Sequence, residues 1–317
     1  DGRITFTYKT DTVGESAINI YDINTYKLID SIKVTDEYRL GRVCSIEVEG
    51  LNADKICYLI ERDGKESLDE YSTGIVGRDK WNDKSREKDD YKVYSSIANC
   101  DYTFTKSKPR IAPKDMIMYK LHMRGYTMQH SLNRWDKGNY KGFLKCLDEI
   151  VDLGVTSIEF QPLYEFEEMD LTEATVVDEH FQAHTVIHDS GKVNYWGYNK
   201  GHYFAPKASY FGERQAARNM KYMVDEIHGR GLEVIMEIAF DNTVSEDVMN
   251  KALKYWVKEY NVDGLHILGR NLPIGRIVKN PYLADTKIFY HEYPYDVLME
   301  EKCAKHLFIS NDEFLYA

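Results

Sequence analysis

The stretch VDGLHILGRN, Val262 to Asn271, alternates like a short buried strand and runs into a Gly-Arg-Asn turn, the place where a strand can hand a side chain to a reaction. No acid stands at that end. The residue delivered is Leu268, which has neither a lone pair nor a labile proton. The nearest acid in the strand, Asp263, comes five residues earlier, so at about 3.3 Å per residue it sits roughly 16 Å away, near the opposite end. A second pattern with chemical potential is EHFQAHTVIHD, where His180, His184 and His188 recur every four residues between Glu179 and Asp189. On a helix the three imidazoles would line one stripe within reach of a transition metal, but Thr185, Val186 and Ile187 disfavour helix. The segment therefore reads as a loop, and no metal or cofactor is expected. The five cysteines, Cys44, Cys57, Cys100, Cys146 and Cys303, are odd in number and widely spaced, without a C-x-x-C pair. That pattern suits a reducing compartment, so a cytoplasmic location is expected.

Composition limits the partners. In 317 residues, 41 Lys and Arg stand against 52 Asp and Glu, a formal charge of -11 that repels nucleic acid and anionic membrane surfaces. No apolar run approaches the roughly 20 residues that span a bilayer. The 25 Tyr, 12 Phe and 4 Trp suit flat ligand faces such as sugar rings, and equally suit ordinary cores.

The elements that must position such residues fall into two halves. Up to about Thr105 the chain has short alternating runs, among them Ile4 to Lys9, Ala17 to Ile23, Ser45 to Gly50 and Ile56 to Glu61, separated by polar turns. These predict an antiparallel β-sandwich over residues 1–108. KSKPRIAP, Lys106 to Pro113, concentrates two prolines and three basic residues and marks the boundary. From 109 to 317, strands alternate with amphipathic helices. The strands are Met116 to Met123, Val155 to Pro162, Glu233 to Phe240, Val262 onward, Thr286 to Glu292, and Lys305 to Ser310. One helix carries Phe143, Leu147, Ile150 and Val151 on one face, and another carries Met220, Met223, Val224 and Ile227 and stops at Gly231. A third, capped by Ser245 ahead of Glu246 and Asp247, buries Val248, Ala252, Leu253, Trp256 and Val257. Repeated βα units predict a parallel sheet in a (β/α)8 TIM-type barrel. Five or six of its strands are readable before Ala317, so the barrel is expected to be incomplete in this chain.

Several of these stretches, taken in order, resemble the α-amylase clan, glycoside hydrolase family thirteen: MIMYKLHMRGYT, LGVTSIEFQPLYEF, YWGYNKGHYFAPKASY, HGRGLEVIMEIAFDNT, YNVDGLHILG and NDEFLYA. Their order and the preceding sandwich resemble the debranching branch, the pullulanases, isoamylases and glycogen debranching enzymes. DEYSTGIVGRDKW resembles the segment joining a starch-binding-type, isoamylase N-terminal-like sandwich to the barrel. The resemblance implies an α-glucan partner such as glycogen, starch or maltooligosaccharide. It also implies a retaining mechanism on two carboxylates held about 5 to 5.5 Å apart at the C-terminal face of the barrel.

Against that pattern the chain departs at several positions. Where the family's fourth strand has Arg and, two residues on, the Asp nucleophile, this chain has His266 and Leu268. Leucine cannot attack an anomeric carbon, and histidine lacks the five-donor fork by which arginine orients a carboxylate. In the third strand, Glu237, Asp241 and Asn242 replace the Asp, Asn and His of D-x-x-x-N-H. Glu292 in FYHEYPYD falls near the acid/base position, or is a solvated strand-end acid. A lone general acid supplies about 10²- to 10⁴-fold and cannot replace a nucleophile. Tyr198, with Trp196 beside it, matches an aromatic that packs on the sugar, unless Tyr198 and Tyr203 merely pack the loop. His122 and Arg124 match residues that shape the barrel mouth, though a lone strand histidine is as readily structural. The expectation is a catalytically impaired, glucan-binding relative. Two alternatives stand beside it, a hydrolase with its carboxylates elsewhere or beyond Ala317, and a scaffold without glucan affinity.

Overall fold

The computed structural model describes residues 2–10, 16–88, 91–98, 100–177, 183–292, 295, 299 and 305–310, with the side chains of 173–177 and 183–186 left aside. Its contacts divide the chain into two units. One joins Asp1–Cys100 with Met169–Val193 and His202–Ala217, and the other joins Asp101–Glu168, Asn194–Gly201 and Arg218–Ala317.

In the first unit, the alternating runs become two antiparallel sheets. Ile4–Lys9 pairs with Val43–Val48 so that Phe6 faces Ile46 and Tyr8 faces Cys44. Period two sends these four to one side, where they join Ile18 and Ile20 of Ser16–Asp22 and Ile56, Tyr58 and Ile60 of Ile56–Arg62 in a single core. Each such side chain contributes about 1.5–3 kcal/mol through burial. Cys44, Cys57, Cys100 and Cys146 are free thiols.

The segment expected to be a loop is instead a hairpin, Met169–Val177 against Ala183–Val193. The β-branched run Thr185, Val186 and Ile187, which argued against a helix, suits the pleated backbone it adopts. His180 lies outside the described residues. His184 and His188 share one strand, four residues and roughly 13 Å apart along it, where a helix would have stacked them on adjacent turns.

The second unit holds a parallel sheet of six strands in sequential order: β1 (Met118–Leu121), β2 (Ser157–Phe160), β3 (Glu233–Ala239), β4 (Gly264–Leu268), β5 (Lys287–Tyr290) and β6 (Leu307–Ile309). Strand-following helices include α1 (Met123–Met128), α2 (Tyr140–Lys145), α3 (Leu147–Asp152), α4 (Ala216–Gly229) and α5 (Glu246–Tyr260). The single helix expected around Phe143 is broken into α2 and α3 at Cys146, whose φ of -105° and ψ of 4° leave the helical well. Met220, Met223, Val224 and Ile227 of α4 are completely buried, and Gly231, at φ 76°, turns the chain into β3. The Ser245 hydroxyl accepts from Val248 N at 3.4 Å and caps α5.

Two acids fix the base of this unit. Asp225 on α4 accepts from Thr105 N, Lys106 N and Tyr102 OH at 2.8–3.0 Å, which ties residues 101–106 into the second unit, upstream of the boundary expected near 108. Burial pushes the Asp225 carboxyl upward, and these hydrogen bonds outweigh it, holding the carboxyl below its ordinary value. Asp263 precedes β4 and accepts from Val234 N at 2.8 Å, with His228 Nε2 also at 2.8 Å. It is a strand-joining group at the end of the sheet opposite Leu268. Among the described residues no helix is long and apolar enough to cross a membrane.

Candidate functional site

Four adjacent parallel strands each place one charged or titratable side chain, Lys120, Glu159, Glu237 and His266, on the same face of the sheet. Lys120 of β1 is paired with Glu159 of β2, Glu159 with Ile235 of β3, and Glu237, two residues on, with His266 of β4. The side chains meet. His266 Nδ1 lies 2.7 Å from Glu159 Oε1 and 3.7 Å from Glu237 Oε1. The Lys120 ammonium pairs directly with Glu237 Oε1 and stands 3.6 Å from Glu159 Oε1. On the far side of the imidazole, Nε2 meets Ser310 Oγ at 2.9 Å.

Both carboxylates have no exposed surface, so their charges survive only through these partners. Burial pushes Glu159 upward, but the His266 hydrogen bond and the His266 and Lys120 charges prevail and hold it below the ordinary glutamate value. Glu237 goes the other way. Burial and the neighbouring Glu159 charge raise it, against the opposing pull of Lys120 and of the Tyr198 hydrogen bond. Lys120, despite burial that opposes charge, is pushed up to about 12 by Glu237 and Glu159. Glu159, Glu237 and His266 could between them supply three ligand atoms to a metal ion. The lysine ammonium already touches both carboxylates and supplies the positive charge.

An aromatic rim connects to this network. Tyr198 OH donates to Glu237 Oε2 at 2.8 Å and accepts from Gln161 Nε2 at 3.0 Å, while the residue as a whole is 39% exposed. Burial and the adjacent Glu237 push the Tyr198 hydroxyl up to about 12, so it stays a donor at neutral pH. Trp196 is 50% exposed, and the His122 ring lies 5.6 Å from it and 4.4 Å from Tyr195. His122 is itself buried and caps α1, accepting from Gly125 N at 3.0 Å. Tyr164 anchors the rim loop to β3, its hydroxyl donating to Gly197 O at 3.1 Å and lying 3.2 Å from Ala239 N. Tyr203, by contrast, is buried.

The geometry thus gathers Glu237, His266 and Tyr198, with His122 and Trp196 together at the rim. Leu268 ends β4 opposite Ala239, half-buried, with its carbonyl accepting from Phe240 N at 2.9 Å. Asn242 is exposed, and Asp241 is occupied by its own turn, accepting from Thr243 N and Oγ1 at 2.9 and 2.7 Å. Glu292 stands past β5, its side chain 63% exposed, and accepts from Tyr290 OH at 3.1 Å. Because His266 is paired with Phe289, the residue two beyond Phe289, as Leu268 is two beyond His266, is His291. Sequence reasoning missed Lys120, Glu159, Gln161 and Ser310. The available signal was the lone charged residue inside each of MYKL and SIEF, which a parallel sheet brings into adjacent register.

No family model matches the chain. Chloroplastic isoamylase 1 of Arabidopsis thaliana is 26% identical over 269 residues, 77% of this chain and 33% of the isoamylase. The glycogen operon protein GlgX homolog of Mycobacterium bovis is 28% identical over 166 residues, 49% of this chain and 20% of that protein. Among solved structures, a mutant pullulanase from Paenibacillus barengoltzii complexed with maltotriose superposes with a TM-score of 0.69 at 15% identity, covering 98% of this chain and 56% of the pullulanase. The chain therefore spans about a third or less of the curated relatives it matches. Its sequence relatives are isoamylases and GlgX proteins and its fold is that of the pullulanases, so the chain resembles the debranching branch of the α-amylase clan.

Proposed function

We propose that the chain handles α-glucan by binding and does not hydrolyse it. The observation that carries this reading is the closed network of Lys120, Glu159, Glu237 and His266. Strands three and four spend their polar side chains on one another, and the next inward position of strand four is Leu268. A retaining glycosidase needs two carboxylates about 5 to 5.5 Å apart on either side of an accessible glycosidic bond. Here the two nearest carboxylates are fully buried and share a lysine and a histidine. What remains open is the rim of Trp196 and Tyr198, whose faces offer stacking and C–H contact with a pyranose without any ionisable group. The maltotriose seen in the Paenibacillus barengoltzii pullulanase complex supports an α-glucan as the partner. On this reading the six parallel strands are part of an eight-stranded barrel, the antiparallel sheets within residues 1–100 form a starch-binding-type sandwich, and the protein works in the cytoplasm without a cofactor.

The test is a maltooligosaccharide titration by calorimetry beside a hydrolysis assay on glycogen and pullulan, with the unmodified chain and Leu268→Asp. Binding without turnover in either protein supports the proposal. Turnover by the unmodified chain overturns it: loss of that turnover in Glu292→Gln would make Glu292 the acid/base, survival in Glu292→Gln and Glu237→Gln would place the carboxylates elsewhere, and absence of binding leaves the scaffold reading.

A further inference from the structure

A second cluster of metal-ligating side chains lies among the helices, apart from the carboxylate network and without a role in it. His130 follows α1, Cys146 sits at the break between α2 and α3, and Glu149 lies in the first turn of α3. One ligand atom from each falls within 4.8 Å of the other two. His130 Nε2 stands 3.1 Å from Glu149 Oε2, while His130 Nδ1 is buried and has no hydrogen-bond partner. The Cys146 thiol is free and buried, and Glu149 is 63% exposed on its side chain, which gives the cluster a solvent entry.

The backbone supports the constellation. The break at Cys146 is what places sulfur and carboxylate on one side, since Glu149 N bonds to Cys146 O at 3.2 Å in the first turn of α3. Tyr126 packs its ring 5.1 Å from His130 and reaches Cys146 O with its hydroxyl at 3.5 Å. Thus one aromatic side chain braces two of the three ligand residues. The mixture of thiolate, imidazole and carboxylate selects against the hard cations calcium and magnesium, which require oxygen, and suits zinc. Zinc bonds of about 2.0–2.3 Å require ligand atoms about 3.3–3.8 Å apart in a tetrahedron, so the cluster closes with a side-chain adjustment on the order of 1 Å.

We propose that His130, Cys146 and Glu149 form a three-ligand zinc site with its fourth position open to water. On binding, the Cys146 thiol releases its proton to solvent and its sulfur bonds the metal, while imidazole and carboxylate each donate one lone pair. The site pins the junction of α2 and α3 to the end of α1, with no change in oxidation state. The experiment uses the full chain, stripped with chelator and titrated with Zn²⁺ and, separately, with Co²⁺ followed by absorbance. The expected result is a single equivalent of zinc, and for cobalt a sulfur-to-metal charge-transfer band with tetrahedral d–d absorption. Cys146→Ser should abolish the band, and His130→Gln should weaken zinc binding by roughly 100-fold or more, beyond the 10- to 100-fold typical of outer-shell changes. Cys100→Ser, a half-buried thiol outside the cluster, should leave both signals unchanged. Absence of stoichiometric binding, or a cobalt band that survives Cys146→Ser in a chain with unaltered circular dichroism, overturns the assignment.

Discussion

Glu237 and His266 are direct partners across neighbouring parallel strands, and the same imidazole nitrogen that lies 3.7 Å from Glu237 lies 2.7 Å from Glu159. One ring nitrogen therefore stands between two buried carboxylates, and Lys120 closes the arrangement from the first strand. Lys120, His266 and the Oε1 atoms of both glutamates spend their charges on one another, and that explains why these groups resist reading as catalytic. Removing the network's cation should expose its cost.

Lys120→Met leaves two buried carboxylates sharing one histidine. Breaking a fully buried pair costs about 3–5 kcal/mol. The Lys120 side chain is 34% exposed, so water screens part of the interaction and the expected loss is ~2–3 kcal/mol. Urea denaturation checks this through the midpoint at unchanged slope. Glu237→Gln, which keeps an acceptor for Tyr198 and leaves Lys120 paired to Glu159, should cost less. The reverse ranking would mean that the lysine is not the group neutralising the site.

The rim separates ring from hydroxyl. Trp196→Ala should weaken maltooligosaccharide binding by about 1 kcal/mol, near fivefold, through loss of an exposed aromatic face. Tyr198→Phe keeps the face and removes the hydrogen bond to Glu237, so affinity should change by less than about threefold, whereas Tyr198→Ala should match the tryptophan variant. Calorimetric titration distinguishes these outcomes, and equal losses for Tyr198→Phe and Tyr198→Ala would assign the binding energy to the hydroxyl.

Asp225 gives the clearest pH signature. Its carboxyl is held below the ordinary value by hydrogen bonds from Thr105, Lys106 and Tyr102, so the folded state favours the ionised form more than the unfolded chain does. The stability it contributes is therefore fully present above the unfolded aspartate value of about 3.9 and is lost as pH falls through the depressed folded value. Asp225→Asn should cost about 1.5–3 kcal/mol at pH 7, and the gap from the unmodified protein should shrink below about pH 4. A pH-independent gap between 7 and 2.5 would mean that the acid acts through shape alone.

The helices and the parallel strands were legible because their signals are local. Met220, Met223, Val224 and Ile227 repeat at the helical period and are all buried, and Ser245 caps the helix its sequence announces. The hairpin of Met169–Val177 and Ala183–Val193 was not, because its strands are polar and charged, so the alternation that marks a half-buried strand is weak there. The site divides along the same line. His266, Glu237 and Tyr198 were readable from position in the family pattern, whereas Lys120, Glu159 and Ser310 matter only through pairing across strands separated by tens of residues. A charge buried inside an apolar run reports that a partner exists without saying where.

Gly197 tests whether the rim is built by the backbone or by the aromatic side chains themselves. It adopts φ 78°, a conformation that side-chain-bearing residues rarely occupy, between Trp196 and Tyr198. A Cβ there would lie 2.5 Å from Cε1 of Phe166, a completely buried ring with nowhere to retreat. Gly197→Ala therefore combines left-handed strain with a core clash, each costing about 1–3 kcal/mol, and the loop can escape only by lifting away from Phe166. Lifting breaks the Tyr164 bond to Gly197 O and moves Trp196 and Tyr198 off their positions. The expected result is a stability loss of ~2–4 kcal/mol in denaturant together with at least about tenfold weaker maltooligosaccharide binding, more than Trp196→Ala alone. Full stability with weakened binding would locate the strain in the loop and leave the Phe166 contact intact. Unchanged binding would mean that the glucan does not use this rim.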